Sequence, residues 1–435
     1  MNLQHSPCYR HRNERFAWQI NEIIESMEEA SSENVTKTND QEELVENYPQ
    51  ESWFDRNLQG DKFIWMVVVA LASISVLVVY SATGTIAYKN QQGHSHYLFK
   101  HSLLVFTSLI AIWVTHRIDY RYYSRLSRIA LLLSVPLLLL SWQFGPKINE
   151  ASRWITIPII NQSFQPSDLA KLALLASLAS MLARRQRSID DFKDAIMPIL
   201  FWVGIICGLI GLTDISSALL LFLTCLILMF IGRVPINYLA LLVVVGFISI
   251  TAALYMGQRS GTFKSRINAK YNSSEIPFQA QQSYIAIATG GITGVGAGNS
   301  VQRNFLPNPY SDFIYSIIVE EYGLLGGLLV LVLYLVLLYR GMMVMANSKR
   351  PFGGILSAGL TFSIVIQALI NMAVSVGLVP ITGMPMPLLS MGGTSLLFTG
   401  VALGIVLSIS RGEVDEDIEK IGKGGRTGNA KRKLA

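Results

Sequence analysis

Residues Phe63–Thr83 read FIWMVVVALASISVLVVYSAT, 21 residues in a row without a charged side chain. The hydrocarbon core of a bilayer is about 30 Å thick, and an α-helix needs about 20 apolar residues to cross it. Because a helix satisfies its backbone hydrogen bonds within the segment, it can exist in that environment. The stretch therefore predicts a transmembrane helix.

Further apolar runs of this kind follow along the chain. Of the 435 residues, 51% are hydrophobic and 15% are charged, and the mean hydropathy is +0.41. One water-soluble core cannot bury so many apolar runs, so we predict an all-α polytopic integral membrane protein with about ten transmembrane helices. The predicted spans are Phe63–Thr83, Leu98–Thr115, Ile129–Phe144, Leu169–Leu182, Ala195–Leu212, Ile215–Ile231, Tyr238–Met256, Phe313–Tyr339, Ile355–Leu378 and Leu388–Ile409.

Lysine and arginine residues are concentrated on one side of the predicted bundle. They occur in the loops at residues 117–128, 184–193 and 340–350 and in the C-terminal tail. Cytoplasmic loops of membrane proteins are enriched in Lys and Arg, so this side is predicted to be the cytoplasm, with both termini inside. The net charge of +6 then reflects orientation, and no basic cluster interleaved with aromatic residues indicates a nucleic-acid partner.

The chain is predicted to have three parts. Residues 1–62 form a cytoplasmic, mostly disordered extension, residues 63–410 the transmembrane domain, and residues 411–435 a basic cytoplasmic tail. Residues 14–29 of the extension carry apolar side chains on one helical face and glutamates elsewhere. An anionic polar face does not suit anionic lipid, so residues 1–30 are predicted either to bind a partner protein or to form a weakly helical tail.

Two predicted outer loops are long. Residues 146–167 connect the third and fourth spans, and residues 257–311 connect the seventh and eighth. The second loop is far longer than a helix–helix connection requires. Its segment ATGGITGVGAGNS, residues 288–300, is rich in glycine, so its backbone is predicted to approach a ligand closely or to re-enter the membrane.

An acidic residue stands at the predicted outer start of the fourth span, in FQPSDLAKLALL at residues 164–175. Pro166 suits the first helical turn, and the helix N-terminus favours the negative charge of Asp168. Lys171 follows three residues later on nearly the same face, so a contact between Asp168 and Lys171 is predicted.

A second acid stands at the outer start of the eighth span, in NPYSDFIYSII at residues 308–318. Ser311 is predicted to be the N-cap and Asp312 to occupy the first turn. Taken alone, Asp312 is explained either as a cap or dipole partner or as a functional residue.

Other charged residues accompany Asp312 on the predicted outer face. Arg153 lies on that face, and Glu320 follows two turns further into the helix, about 12 Å deeper. Acids inside spans usually face a cavity or a partner, so a wet pocket of mixed charge is predicted. A carboxylate there can take a hydroxyl proton, and Arg or Lys side chains suit a diphosphate leaving group.

The predicted outer face shows no set of residues that is typical of a hydrolase. His94, His96 and His101 have no obvious nucleophile beside them, and the three cysteines show neither a disulfide framework nor metal-ligand spacing. No cofactor is therefore indicated with certainty, although a divalent cation such as Mg²⁺ or Mn²⁺ stays open. Group transfer from a lipid-linked diphosphate fits these residues better than hydrolysis.

Four ordered blocks of sequence resemble the SEDS family (shape, elongation, division and sporulation) of peptidoglycan glycosyltransferases. The resemblance extends from Asp61 to Arg411, and the chain is more similar to the cell-division members than to the elongation members. The blocks are YSATG at residues 80–84, ASRWI with FQPSDLAKLAL between residues 151 and 174, GNSVQRNFLPNPYSDFIYSIIVEEYGLLGG at residues 298–327, and NMAVSVGLVPITGMPMPLLSMGGTSLL at residues 371–397.

The resemblance implies a reaction and a set of site residues. The chain would polymerise lipid II into glycan strands at the outer face of the bacterial inner membrane, at the division septum. Asp312 would be the base toward the 4-hydroxyl of the acceptor N-acetylglucosamine, and undecaprenyl diphosphate would leave the donor N-acetylmuramic acid with inversion. The substrate-binding residues would be Arg153, Trp154, Gln165, Asp168, Lys171, Arg266, Ser311, Glu320 and Ser390.

The resemblance also implies protein partners. A class B penicillin-binding transpeptidase would crosslink the new strand, and other division proteins would bind through residues 1–30. Two positions depart from the family pattern, since Asp168 replaces a glutamate and Tyr310 replaces a histidine. Two alternative functions stay open: a transporter that flips lipid II, and a non-catalytic scaffold of the division machinery.

Overall fold

The described part of the chain is almost entirely helical. The computed structural model describes residues 58–84, 94–148, 151–152, 154–157, 162–186, 192–256 and 277–412. The helices are α1 Lys62–Ala82, α2 His94–Arg117, α3 Tyr120–Phe144, α4 Pro166–Arg184, α5 Met197–Thr213, α6 Ile215–Ile231, α7 Ile236–Met256, α8 Phe278–Gly290, α9 Ile314–Asn347, α10 Pro351–Ser375 and α11 Thr394–Gly412. A π-helical turn, Phe192–Ile196, leads directly into α5.

The prediction of a polytopic helical membrane protein is confirmed. Within the described residues, eight helices are long and apolar enough to cross a membrane, and shorter apolar helices occupy Ile215–Ile231 and Ile236–Ile248. These ten segments follow the order of the ten predicted spans. The number that cross the bilayer stays a prediction.

Five helix starts differ by three residues or more from the predicted ones, including α2 at His94 rather than Leu98 and α10 at Pro351 rather than Ile355. Helix α3 begins at Tyr120 rather than Ile129, because the Asp119 side chain caps it by accepting a hydrogen bond from the Arg121 N–H at 2.9 Å. Helix α4 begins at Pro166 rather than Leu169, since proline needs no N–H partner in the first turn. Helix α11 begins at Thr394 rather than Leu388, after a stretch of turns.

The glycine-rich outer segment packs on a break in α9. Gly323, the tenth residue of this 34-residue helix, has φ 70° and ψ −169°. The backbone N–H of Val295 donates to the Glu320 carbonyl at 2.9 Å, and that of Leu324 donates to the Gly291 carbonyl at 2.9 Å. A Cβ at Gly294 would lie 2.2 Å from the Glu321 carbonyl oxygen. The glycines therefore serve a close approach between two backbones.

The shorter outer loop contains two small hairpins. Strands β1, Lys147–Ile148, and β2, Ala151–Ser152, pair antiparallel, as do β3, Ile155–Ile157, and β4, Gln162–Phe164. Strand β4 ends directly before α4, so the second hairpin positions the start of that helix. The longer loop contains α8.

Two helices form the centre of the bundle. The 18-residue apolar stretch is 72% buried in α4 and 67% buried in α10. Helix α10 packs against α4, α6 and α9. At the predicted cytoplasmic end, Asp61 caps α1 by accepting from the Phe63 N–H at 2.9 Å. The same carboxylate lies 2.5 Å from Arg340 Nη2, which ties the start of α1 to the far part of α9.

Several predictions lie outside the described residues. They concern the extension as far as residue 57, including the helix at 14–29 and the partner segment 1–30, and the tail from residue 413 onward. Arg153 and Arg266 also lie outside the described ranges.

Candidate functional site

A cavity of about 460 Å³ lies at the end of the bundle that is predicted to face outward. It is bounded by α2, α4, α6 and α10 and by the loops that precede α9 and α11. Of the predicted site residues, Trp154, Gln165, Asp168, Lys171, Ser311 and Asp312 line it. The polar residues that complete the lining include Tyr97, Lys100, Asp214, Asn308, Tyr310 and Gln367.

Asp168 and Lys171 form the predicted pair. Lys171 Nζ donates to Asp168 Oδ1 at 3.1 Å, and both side chains are largely buried. The contact follows from their spacing of three residues on α4. The other oxygen, Asp168 Oδ2, is buried and accepts no hydrogen bond from the described residues. The pair thus places an ammonium and an incompletely satisfied carboxylate at the cavity.

Asp312 lies before α9 and not in its first turn. The helix begins at Ile314, and its N-cap residue is Phe313. The prediction that Ser311 caps the helix is wrong, because its hydroxyl donates to Asp312 Oδ1 at 2.9 Å and no side chain caps α9. Gly383, with φ 68°, lies opposite the carboxylate, where a Cβ would be 3.6 Å from Asp312 Oδ2. The carboxylate therefore faces the cavity from a turn.

Ser390 lies beside the site rather than on the cavity lining. Its hydroxyl donates to the Ser311 carbonyl at 2.6 Å and accepts from the Met386 N–H at 2.8 Å. The residue is 1% exposed. With both partners supplied by the protein, the geometry supports a role in holding the backbone and not a substrate contact.

Glu320 is also separated from the cavity lining. Its carboxylate accepts hydrogen bonds from the Ser300 hydroxyl at 2.5 Å, the Val301 N–H at 2.9 Å and the Gln302 N–H at 3.2 Å. The side chain is 2% exposed. Glu320 thus anchors the outer loop to α9 and does not line the mixed-charge pocket predicted on the outer face.

Glu321 belongs to the same anchoring network. The Ser81 hydroxyl donates to its carboxylate, and Arg303 Nη1 donates to the Ser81 carbonyl at 2.9 Å. These contacts join the end of α1 to the loop and to α9. One Glu321 oxygen, Oε2, is buried and accepts no hydrogen bond from the described residues.

Sequence reasoning missed several cavity residues, of which Asp214 is the clearest. It caps α6, because its Oδ1 accepts from the Ser217 N–H at 3.4 Å, and its Oδ2 accepts from the Ser217 hydroxyl at 2.8 Å. A signal was present: LTDISSALL, residues 212–220, places an acid between two apolar runs with a serine three residues later. Tyr97, Lys100 and Gln367 carry no comparable local signal, since only packing brings them to the cavity.

Tyr310 stands next to the carboxylate in the lining. Burial, the neighbouring Tyr97 and the Asp312 carboxylate raise the pKa of its phenol above the ordinary value of 10.0. The hydroxyl therefore stays neutral near pH 7 and can donate a hydrogen bond.

The cavity combines three carboxylates, from Asp168, Asp214 and Asp312, with the ammonium groups of Lys100 and Lys171. In the described part of the chain, no three His, Cys, Asp or Glu side chains are grouped closely enough to hold a metal ion. The arrangement can accept a proton at a carboxylate and stabilise an anionic leaving group at an ammonium.

The family model of the FtsW, RodA and SpoVE proteins, described as "Cell cycle protein", matches residues 61–414. The chain belongs to this family. The match confirms the resemblance and its extent. A "Probable peptidoglycan glycosyltransferase FtsW" from Trichlorobacter lovleyi is 32% identical over 365 residues, which cover 82% of this chain and 94% of that protein.

Solved structures share the fold of this chain. A chain from "Structural coordination of polymerization and crosslinking by a peptidoglycan synthase complex" has a TM-score of 0.65 at 24% identity and covers 81% of this chain and 98% of its own length. Thermus thermophilus rod shape determining protein RodA has a TM-score of 0.60 at 22% identity, covering 81% and 97%. Both likenesses bear on architecture alone.

Proposed function

We propose that this chain is a peptidoglycan glycosyltransferase that polymerises lipid II into glycan strands on the outer face of the bacterial inner membrane. The enzyme class agrees with that of the FtsW relative, whose match spans four fifths of the chain. The observation that carries the proposal is the sharing of one cavity by Asp312 and the Asp168–Lys171 pair.

In the proposed reaction, Asp312 takes the proton of the acceptor's N-acetylglucosamine 4-hydroxyl. That oxygen forms a bond to the anomeric carbon of the donor's N-acetylmuramic acid as the bond to the diphosphate oxygen breaks. Attack from the face opposite the leaving group inverts the anomeric carbon, and undecaprenyl diphosphate keeps the bonding electron pair. A positioned carboxylate contributes about 10²–10⁴-fold to such a step.

Cations are needed for the departing diphosphate. Lys171 and Lys100 line the cavity, and we propose that Arg153 and Arg266 contribute from the outer loops. Ammonium and guanidinium groups stabilise the charge that develops on the leaving oxygens. A divalent cation such as Mg²⁺ or Mn²⁺ bound to the diphosphate would act in the same way.

We further propose action at the division septum with a class B penicillin-binding transpeptidase. The FtsW relatives support a role in division rather than elongation. The synthase complex among the similar structures is described as coordinating polymerisation and crosslinking, which supports a transpeptidase partner. Residues 1–30 are proposed to bind other division proteins.

The test is polymerisation of purified lipid II by the purified chain, alone and with its transpeptidase. Wild type is expected to yield glycan strands and Asp312→Asn none. Asp119→Asn, which alters an acid at the predicted cytoplasmic start of α3, is the matched control and should remain active. If Asp312→Asn makes glycan strands at the wild-type rate, Asp312 is excluded as the base. If the chain moves lipid II across the bilayer of liposomes and forms no glycan strands, the transporter alternative is favoured.

A further inference from the structure

The backbone that carries Asp312 is held at three consecutive carbonyl groups. The Met391 N–H donates to the Tyr310 carbonyl at 2.9 Å, and the Ser390 hydroxyl donates to the Ser311 carbonyl at 2.6 Å. Asn371 Nδ2 donates to the carbonyl of Asp312 itself at 2.9 Å. All three donors come from the C-terminal third of the chain, so a remote segment determines the path of residues 310–312.

Asn371 makes the most direct of these contacts. Its amide also donates to the Met384 carbonyl at 2.9 Å, so one NH₂ group joins two loops. The reverse orientation of the amide would set Oδ1 against two carbonyl oxygens, which fixes the assignment. The residue is 1% exposed on α10, and it is absent from the cavity lining.

The segment that supplies the other donors, residues 384–391, is itself anchored, and we name it the clamp loop. The Tyr334 hydroxyl donates to the Pro387 carbonyl, and the Ser75 hydroxyl donates to the Leu389 carbonyl at 2.8 Å. The Met386 N–H donates to the Ser390 hydroxyl at 2.8 Å. Helices α1 and α9 thereby fix the clamp loop, and the clamp loop accepts a hydrogen bond from Asn371 at the Met384 carbonyl.

We propose that Asn371 is a positioning residue that sets the carboxylate of Asp312 for proton abstraction. The proposal rests on the proposed function, in which Asp312 is the base. Asn371 holds the carbonyl of the same residue, while the Ser311 hydroxyl holds carboxylate Oδ1 at 2.9 Å. Backbone and side chain of Asp312 are thus restrained from two sides. A displacement of about 1 Å at such a group lowers turnover about 100-fold.

The test compares two variants of the full-length chain that each lose a donor to a loop carbonyl. Asn371→Leu keeps the side-chain size and removes the amide. Tyr334→Phe removes the hydroxyl that donates to Pro387, also a carbonyl of the clamp loop, and is the matched control. Asn371→Leu is expected to lower kcat for lipid II about 100-fold with KM within about twofold. Tyr334→Phe should stay within about threefold in kcat at a similar change in thermal stability.

Amide hydrogen exchange gives a readout that needs no activity. Peptides covering residues 306–314 should exchange at least about tenfold faster in Asn371→Leu and at the wild-type rate in Tyr334→Phe. Unchanged exchange in Asn371→Leu overturns the proposal. An equal loss of kcat in both variants also overturns it, because general loosening of the clamp loop would then suffice.

The two proposals fail in distinguishable ways. If Asp312→Asn is active, Asp312 is not the base, whatever the result for Asn371→Leu. If wild type polymerises and Asp312→Asn does not, then a kcat of Asn371→Leu near that of wild type refutes positioning alone. A raised KM with unchanged kcat would instead assign Asn371 to substrate binding and equally refute the proposal.

Discussion

Asp312 and Glu320 lie eight residues apart at the same end of α9, yet their surroundings differ. Asp312 lies in a turn and lines a cavity together with Asp168 and Lys171. Glu320 is 2% exposed and accepts three hydrogen bonds from the outer loop. Their comparison teaches that a position near the outer end of a helix does not separate an acid that lines the cavity from one that holds structure. The direction in which the carboxylate points separates them.

The physical difference lies in the donors. Ser300, Val301 and Gln302 present a hydroxyl and two N–H groups at the start of a short 3₁₀ turn, so Glu320 offsets its burial through neighbouring backbone dipoles. Asp312 instead lines a cavity together with the ammonium groups of Lys100 and Lys171. Glu320 therefore holds the loop structure, whereas Asp312 lines the cavity and is the proposed base.

The largest effect is expected from Asp312→Ala. Removing the proposed base should lower the rate of lipid II polymerisation about 1000-fold, or about 4 kcal/mol in barrier height. The thermal unfolding midpoint should stay close to that of wild type, because no helix cap is lost. Glycan strand length and yield, with unfolding in the same detergent, measure both. If Asp312→Ala still polymerises lipid II at the wild-type rate, Asp312 is not the base, and the proposed contrast with Glu320 fails.

Glu320→Ala should show the opposite pattern, with stability changing first. Three donors lose their acceptor, so the free energy of unfolding should fall by about 3 kcal/mol. Ser300→Ala, which removes one donor, is the graded control and should cost about 1 kcal/mol. Thermal unfolding and proteolysis of the outer loop provide the measurement. If Glu320→Ala keeps its full stability but loses turnover, Glu320 acts in the site and not as a structural anchor.

Asp168→Ala sharpens the comparison within the cavity. The change leaves Lys171 without its anionic partner, so we expect about a tenfold loss of turnover together with lower stability. Asp168→Glu, which keeps a carboxylate within reach of Lys171, should stay within about twofold. Adding Lys171→Ala to Asp168→Ala should recover stability but not turnover, as a double-mutant cycle would reveal. Full activity of Asp168→Ala would refute a role for the pair.

The smallest effect is expected from Tyr310→Phe. Burial, Tyr97 and Asp312 raise the pKa of this phenol above its ordinary value of 10.0, so it remains neutral as the pH rises toward that value. Its removal should leave the pH–rate profile below about pH 9 unchanged in shape and lower turnover at most about threefold. A shift of the alkaline limb would instead make Tyr310 a titrating group of the reaction.

Local rules predicted part of the site. The Asp168–Lys171 contact follows from a spacing of three residues in one helix, and neither side chain needs the rest of the fold to meet. The start of α9 could not be predicted in this way. Residues 310–312 have their carbonyls taken by Met391, Ser390 and Asn371, which holds them in turns and moves the helix start to Ile314.

The sequence by itself determined the class of molecule, the order of the ten apolar segments, the family and the pairing of Asp168 with Lys171. These depend on residue composition and on neighbours within a turn of helix, which the chain carries locally. Only the tertiary structure decided that Asp214, Lys100 and Tyr97 share the cavity and that Glu320 and Ser390 support its frame. Those outcomes depend on contacts between segments far apart in the chain, whose meeting is set by packing of the whole bundle.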